Sequence, residues 1–205
     1  EAGNFTGGWR SRFFYPASIF FICLASKVVP ALQGLLSADA CGYMDIVRNL
    51  LAGRGLVISY NLYQDWAGPV DYPALPYMQP LFSLVVAPVY FLFKTIVSVN
   101  LFNVGIAAIN AILVYFILLP RSKTRVAFWA AILVGLSPQM SEFAPLPLTE
   151  QLHLFFLLVG LFLVLRSMES GSRRRLFLAG IVMGLNCFVR FTDLFVIVAL
   201  LLSLL

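Results

Sequence analysis

The sequence predicts an all-α fold, a multi-pass transmembrane helical bundle with a structured outer loop carrying interfacial helices. Three observations support this. Hydrophobic residues make up 61% of the 205 residues, charged residues 11%, and mean hydropathy is +0.93. A soluble domain averages about 45–50% apolar and about 25% charged residues, so a water-soluble globule and a disordered chain are both excluded. Several apolar runs approach the ~20 residues that cross a bilayer, leaving room for roughly four to six spans. The basic residues cluster in short polar gaps between these runs, the usual topology signal.

The first apolar run, 13–36, follows Arg10 and Arg12. It is the predicted first span, entered from the cytoplasm. It runs through Lys27-Val28-Val29-Pro30 with no small-x-small cleavage site, so it is not read as a signal peptide. Residues 37–100 differ in kind and are the predicted outer loop. They carry Asp39, Asp45, Asp65 and Asp71 among many aromatics. Within them Ala40–Leu51 reads as an amphipathic helix, with Tyr43, Ile46, Val47, Leu50 and Leu51 at helical spacing. Ala38-Asp39 is the expected N-cap, and Gly53 and Gly55 are the expected stop.

Apolar stretches follow at about 76–99, 101–119, 126–148 and 151–165. A last one, about 176–205, is interrupted by Arg190, Thr192 and Asp193. Residues 101–205 are therefore assigned to further spans. If 76–99 lies in the outer interface instead of spanning, nine of the 14 basic residues fall inside: Arg10, Arg12, Arg121, Lys123, Arg125, Arg166, Arg173, Arg174 and Arg175. If it spans, the last seven fall outside, against the positive-inside rule. Pro76, Pro80 and Pro88 favour the interfacial reading. In that topology Asp39, Glu150 and Arg190 share the outer face above an apolar interior, which suits a polar headgroup on a lipid tail.

The net charge of +5 comes with no basic patch interleaved with aromatics, so no nucleic-acid partner is expected. Cys23, Cys41 and Cys187 form no CxxC, which indicates neither a metal knuckle nor a disulfide framework. There is no Gly-rich phosphate loop for a soluble nucleotide sugar. Glu1 opens the chain and Leu205 ends it inside an apolar run. It is read as the N-terminal part of a longer protein, inactive alone.

The most informative stretch is Ser37-Ala38-Asp39-Ala40-Cys41-Gly42-Tyr43, continuing through Arg48-Asn49-Leu50-Leu51 to Gly53-Arg54-Gly55. From spacing alone, Asp39 is either a general base, its charge favoured by the helix N-terminus, or a helix cap. The stretch resembles the first outer loop of the GT-C glycosyltransferases, specifically the glycosyltransferase 39 group. That group contains protein O-mannosyltransferases and bacterial transferases that modify lipid A with aminoarabinose. Three more segments match in order: Tyr72-Pro73 through Tyr77 to Pro80, Leu136-Ser137-Pro138 with Leu148-Thr149-Glu150, and Ala179-Gly180 through Gly184 with Val189-Arg190-Phe191-Thr192.

The resemblance implies a GT-C-like fold and sugar transfer from a polyprenyl-phosphate donor to a lipid, glycan or protein acceptor. It implies Asp39 as the main catalytic carboxylate and Glu150 as a second, which positions the acceptor or shares the base role. The alternative for Glu150 is an interfacial helix cap. Arg190 is the first choice to support the leaving phosphate, its alternative a salt bridge to Asp193. Arg48 and Arg54 are second choices, either being open to a solvated role. Tyr43, Tyr72 and Tyr77 are assigned to substrate binding, by stacking or as an aromatic belt. Glu150-x-x-His153 is not enough for a metal site, so no metal and no cofactor are expected. Gly180 and Gly184 read as a close helix-packing pair.

Aminoarabinose transferases place an Arg where this chain has Gly42 and a Lys before a Pro-Pro motif where it has Tyr72-Pro73. The exact substrate is therefore not carried over. The rivals are a transporter or flippase of lipid-linked substrates, which predicts repeats and midplane charges not seen here, and a non-catalytic scaffold. A bacterial inner membrane is favoured over the endoplasmic reticulum.

Overall fold

A computed structural model describes residues 13–59, 73–76, 78–192 and 195. Arg10, Arg12, Tyr60, Tyr63, Asp65, Trp66, Asp71, Tyr72, Tyr77 and Asp193 lie outside the described residues. The described chain is helical, without a β-strand among the described residues. In order come α1 (Tyr15–Leu32), α2 (Ala38–Leu51), α3 (Leu81–Phe93) and α4 (Ile96–Leu118). Then follow α5 (Thr124–Gly135), α6 (Pro138–Phe143), α7 (Glu150–Ser170) and α8 (Arg173–Cys187).

Helices α1, α4 and α7 are each long and apolar enough to cross a membrane. Helix α3 has 13 residues. At about 1.5 Å per residue it rises about 20 Å, short of a hydrocarbon core of about 30 Å. The 126–148 stretch is not one helix. It breaks at Leu136, where Ser137 caps α6 through Met140 N and Pro138 occupies the first turn.

Helix α4 is the hub, packing on α1, α3, α5 and α7, while α8 lies along α7. The Tyr15 ring sits 6.3 Å from the Tyr115 ring, and the Asn100 amide reaches the Leu35 carbonyl at 3.2 Å, so α1 and α4 run antiparallel. Arg121, just past α4, meets Glu169 near the end of α7 at 2.9 Å, so these two helices run in the same direction. Gly171, at φ +63, turns the chain from α7 back into α8. The residues therefore sort by end. One end gathers Asp39, Glu150 and Arg190, and the other gathers Arg121, Arg166 and Arg173–Arg175.

Between the ends the packing is tight. A Cβ on Gly135 would collide with the Cys23 sulfur and lie 3.0 Å from the Ala111 methyl. The glycine thus lets α1, α4 and α5 approach closely. Lys27, 1% exposed, donates to the Gly135 carbonyl at 2.6 Å and to Ser26 Oγ at 3.0 Å. An ammonium in hydrocarbon is costly. This one is offset by satisfying a carbonyl at the C-terminus of α5.

Two expectations on these elements change. The N-cap of α2 is Ser37, whose hydroxyl accepts from Ala40 N at 3.2 Å. Asp39 lies in the first turn and does not fill that role. Among the described residues Gly180 and Gly184 mark no close contact: a Cβ on either meets none of their atoms within 4 Å. The close approach on the α7–α8 seam is at Gly160, where a Cβ would lie 2.8 Å from Met183.

Candidate active site

Helix α2 supplies two side chains one turn apart, Asp39 and Tyr43. Its inner face is apolar, so Tyr43 sinks to 8% exposure, its ring edge-on to Phe82 with centroids 5.3 Å apart. Ser83 on α3 donates to the Tyr43 carbonyl at 3.2 Å and locks the two helices. A side-chain hydrogen bond joins Tyr43 to Thr149. Burial pushes the Tyr43 phenol above its ordinary pKa; the Glu150 and Asp39 carboxylates add to the rise, and the Thr149 bond and Arg190 oppose it. The phenol is therefore neutral near pH 7 and available as a hydrogen-bond donor.

The Glu150 position is built by α4. Three buried asparagines lie along that helix: Asn100, Asn103 and Asn110. The Asn103 amide donates to the carbonyls of Leu146 and Leu148, at 2.5 and 3.0 Å. The Asn110 amide donates to the Gln151 carbonyl at 2.9 Å. These contacts hold the irregular connection into α7 from one side, so Glu150 is fixed as the first residue of α7.

Arg190 comes from the turn after α8. Its backbone N–H donates to the Asn186 carbonyl at 2.9 Å, and the Phe188 carbonyl accepts from Leu81 N at 3.2 Å, tying this turn to the start of α3. Its Nη1 donates to Glu150 Oε1 at 2.9 Å across 40 residues of chain. Glu150 Oε2 is buried and takes no hydrogen bond from the described residues.

These elements enclose a cavity of about 220 Å³. Asp39 and Tyr43 line it from α2, Gln79 from the chain before α3, Thr149 and Glu150 from the start of α7, and Arg190, Phe191 and Thr192 from beyond α8. Of the residues expected at the site, the structure brings together Asp39, Tyr43, Glu150 and Arg190. Arg48 and Arg54 are exposed and are not among the residues lining this cavity: Arg48 falls on the outward face of α2 and Arg54 in the turn past its end. Tyr72 and Tyr77 fall outside the described residues. Arg190 pairs with Glu150; Asp193, its alternative partner from the sequence, lies outside the described residues.

Gln79, Thr149 and Thr192 line the cavity without having been singled out. Each stands inside a segment that carries the family resemblance, and adjacency to Glu150 or Arg190 was the available signal. His153 faces Asn186, with His153 Nδ1 3.2 Å from Asn186 Nδ2. Among the described residues no group of three His, Cys, Asp or Glu is placed to hold a metal ion.

In chemical terms the cavity offers two carboxylates, one guanidinium, a neutral phenol, and amide and hydroxyl groups. This set suits proton removal beside an anionic leaving group. No curated protein and no solved structure matches the chain. The family model for dolichyl-phosphate-mannose-protein mannosyltransferases matches residues 73–205, which include Gln79, Glu150 and Arg190. That match covers more than half of the sequence, and the chain belongs to this glycosyltransferase family, as an integral membrane protein.

Proposed function

We propose that this protein transfers a sugar from a polyprenyl phosphate to a hydroxyl or amine of a lipid, glycan or protein acceptor. The observation that carries the reading is the convergence of Asp39, Glu150 and Arg190 on one cavity. It lies at the end of the bundle opposite the arginine-rich turns. By the positive-inside rule that end is the outer face.

In the proposed step Asp39 takes the acceptor's proton as its oxygen or nitrogen attacks the anomeric carbon. The new bond to that carbon forms as the bond to the phosphate oxygen breaks. The leaving polyprenyl phosphate keeps the electron pair, and the anomeric centre inverts. Arg190 faces the phosphate, where negative charge develops. Glu150 orients the Arg190 guanidinium and positions the acceptor. Tyr43 and Thr149 hold the wall between the two carboxylates. The donor's tail lies against apolar helix faces below the cavity.

The test is transfer from a radiolabelled polyprenyl-phosphate sugar in membranes holding the full-length protein, wild type against Asp39→Asn. A general base contributes about 10²–10⁴-fold, so transfer is expected to fall by that range in a normally inserted mutant. Unchanged transfer would remove Asp39 from the step. No transfer by wild type across several sugar donors would overturn the glycosyltransferase reading in favour of transport.

A further inference from the structure

The stretch from Arg48-Asn49 to Gly53-Arg54-Gly55 is distinctive in the sequence, yet none of it lines the cavity. It builds a reversal of the chain. Gly53 and Gly55 take φ +75 and +84, left-handed values that side chains disfavour. Between them the Arg54 N–H donates to the Asn49 carbonyl at 2.9 Å. Residues 57–59 are thereby returned to the side of α2.

There they meet Asn49, which is fully buried. Its amide donates to the Val57 carbonyl and to Ser59 Oγ, both at 2.9 Å, and the Ser59 hydroxyl reaches Asn49 Oδ1 at 3.2 Å. Asp45, one turn earlier on α2, accepts from Ser59 N at 2.5 Å and from the Asn49 amide at 3.3 Å. Both ends of the Asn49 side chain are thus engaged. A buried polar network whose members are satisfied specifies one arrangement of the chain.

That arrangement continues to the cavity. Ile58, between the two clamped residues, pairs antiparallel with Ala74: Ile58 N–H donates to the Ala74 carbonyl at 2.9 Å, and Ala74 N–H to the Ile58 carbonyl at 3.1 Å. Ile58 and Met78 also share one buried cluster with Tyr43 and Phe82. Gln79 follows Met78, belongs to no helix and lines the cavity with Asp39. Just beyond it Leu81 is tied to Phe188 in the turn that leads to Arg190. The segment bearing Gln79 therefore has two tethers, the Asn49 clamp at its start and the Arg190 turn at its end.

Resting on the proposed transfer reaction, we infer that Asn49, with Asp45, is a positioning residue: through the Ile58–Ala74 pair it sets the Gln79 amide against the acceptor beside Asp39. Asn49 itself touches no substrate, standing about 15 Å along α2 from Asp39. The Gly53-x-Gly55 turn serves the same end by delivering Val57 and Ser59 to the clamp.

The experiment uses the full-length protein in detergent. It compares wild type with Asn49→Ala, Ser59→Ala and Gln79→Ala, and with each clamp variant combined with Gln79→Ala. Sugar-transfer kcat and the KM of donor and acceptor are measured with the thermal midpoint and with amide hydrogen exchange over 74–81. Ser59→Ala removes one arm of the clamp and leaves the Asn49–Val57 bond, so it carries the test if Asn49→Ala inserts poorly. Gln79→Ala should cost about tenfold in kcat/KM, the loss of one hydrogen bond to a substrate. Asn49→Ala should cost about as much and Ser59→Ala less, each chiefly through acceptor KM. In the Gln79→Ala background either clamp variant should add no more than about twofold, since the group it places is gone. Exchange should quicken over 74–79 in both clamp variants and hold at the start of α7. Losses that multiply in the combined variants, or a lower midpoint with unchanged KM, would make the clamp a structural tie and overturn the inference. Unchanged exchange over 74–79 would overturn it as well. Either result with normal wild-type transfer leaves the transfer reading intact. Wild-type protein that transfers no sugar, while exchange over 74–79 still answers to Asn49, overturns the transfer reading and supports the tie to Gln79.

Discussion

Helix α7 carries a glutamate–arginine cluster near each end, and the two clusters are built to different ends. At its start Glu150 meets Arg190; near its finish Glu169 meets Arg121 and Arg166. The two glutamates are about 29 Å apart along the helix, the depth of a bilayer core. Their exposure is similar, 31% and 37%, so burial alone does not separate them. Satisfaction does. Both Glu169 oxygens are engaged, Oε1 by Arg121 at 2.9 Å and Oε2 by Arg166 at 3.0 Å. Glu150 spends one oxygen on Arg190, and its other oxygen is buried with no hydrogen bond from the described residues. The Glu169 cluster is a closed structural tie between helix ends. The Glu150 cluster faces the cavity and has capacity left for a ligand.

The contrast can be broken most severely at Arg190. Arg190→Ala removes the cation expected to meet the leaving phosphate. Losing one stabilising donor of this kind costs about 10²–10³-fold in rate. We expect kcat for sugar transfer to drop by that range, while the corresponding Arg166→Ala leaves it within about threefold. Equal losses at both positions would mean that the two clusters serve insertion or folding alike.

Asn103 sharpens the comparison through the scaffold. Its amide is the donor for two carbonyls in the connection ahead of Glu150. Asn103→Ala removes this donor from both carbonyls; the Leu146 carbonyl keeps its bond from Leu148 N at 2.9 Å, so the cost, about 1–3 kcal/mol before relaxation, falls chiefly on the Leu148 carbonyl. The expected result is a lower thermal midpoint in detergent together with reduced kcat. Asn103→Asp is expected to fail as a rescue, because a carboxylate has no donor for the carbonyls. Full activity in Asn103→Ala would show that the connection is held without this amide.

The smallest effect is expected at the closed cluster. Exposed ion pairs contribute about 0–1 kcal/mol, so Glu169→Gln should change stability by no more than that. Its effect should fade further in high salt, which screens exposed charges. A large stability loss would mean that the tie between α4 and α7 anchors the fold.

Much of this was legible in the sequence because membrane burial writes itself into composition. The helical class follows from it, as does the gathering of basic residues at one end, because both are set by the cost of polar groups in hydrocarbon. Asp39, Tyr43, Glu150 and Arg190, which the structure brings to one cavity, were singled out mainly through the family resemblance, Asp39 and Arg190 also because a charge at those positions is costly or suited to chemistry. The break at Leu136 was marked only by Ser137-Pro138, and the apolar run on both sides hid it. The cap of α2 went to Ser37 because its hydroxyl reaches Ala40 N, a choice between adjacent residues that spacing cannot make. The Arg190–Glu150 pair joins residues 40 apart in the chain, and local spacing carries no information on which helices become neighbours. Gly180 and Gly184 were read as a packing pair on spacing, yet the contact formed at Gly160. The buried asparagines of α4 act through carbonyls of a distant connection, which no local pattern shows.

The most direct measurement is a paired one: transfer rate and thermal midpoint for Glu150→Gln and Glu169→Gln in the full-length protein, side by side with wild type. Glu150→Gln keeps the shape and a hydrogen bond to Arg190 but removes the charge from the cavity. The account predicts a loss in transfer of at least tenfold with a midpoint close to wild type, while Glu169→Gln retains transfer. Transfer by Glu150→Gln at the wild-type rate, or equal losses in the two variants, would contradict it.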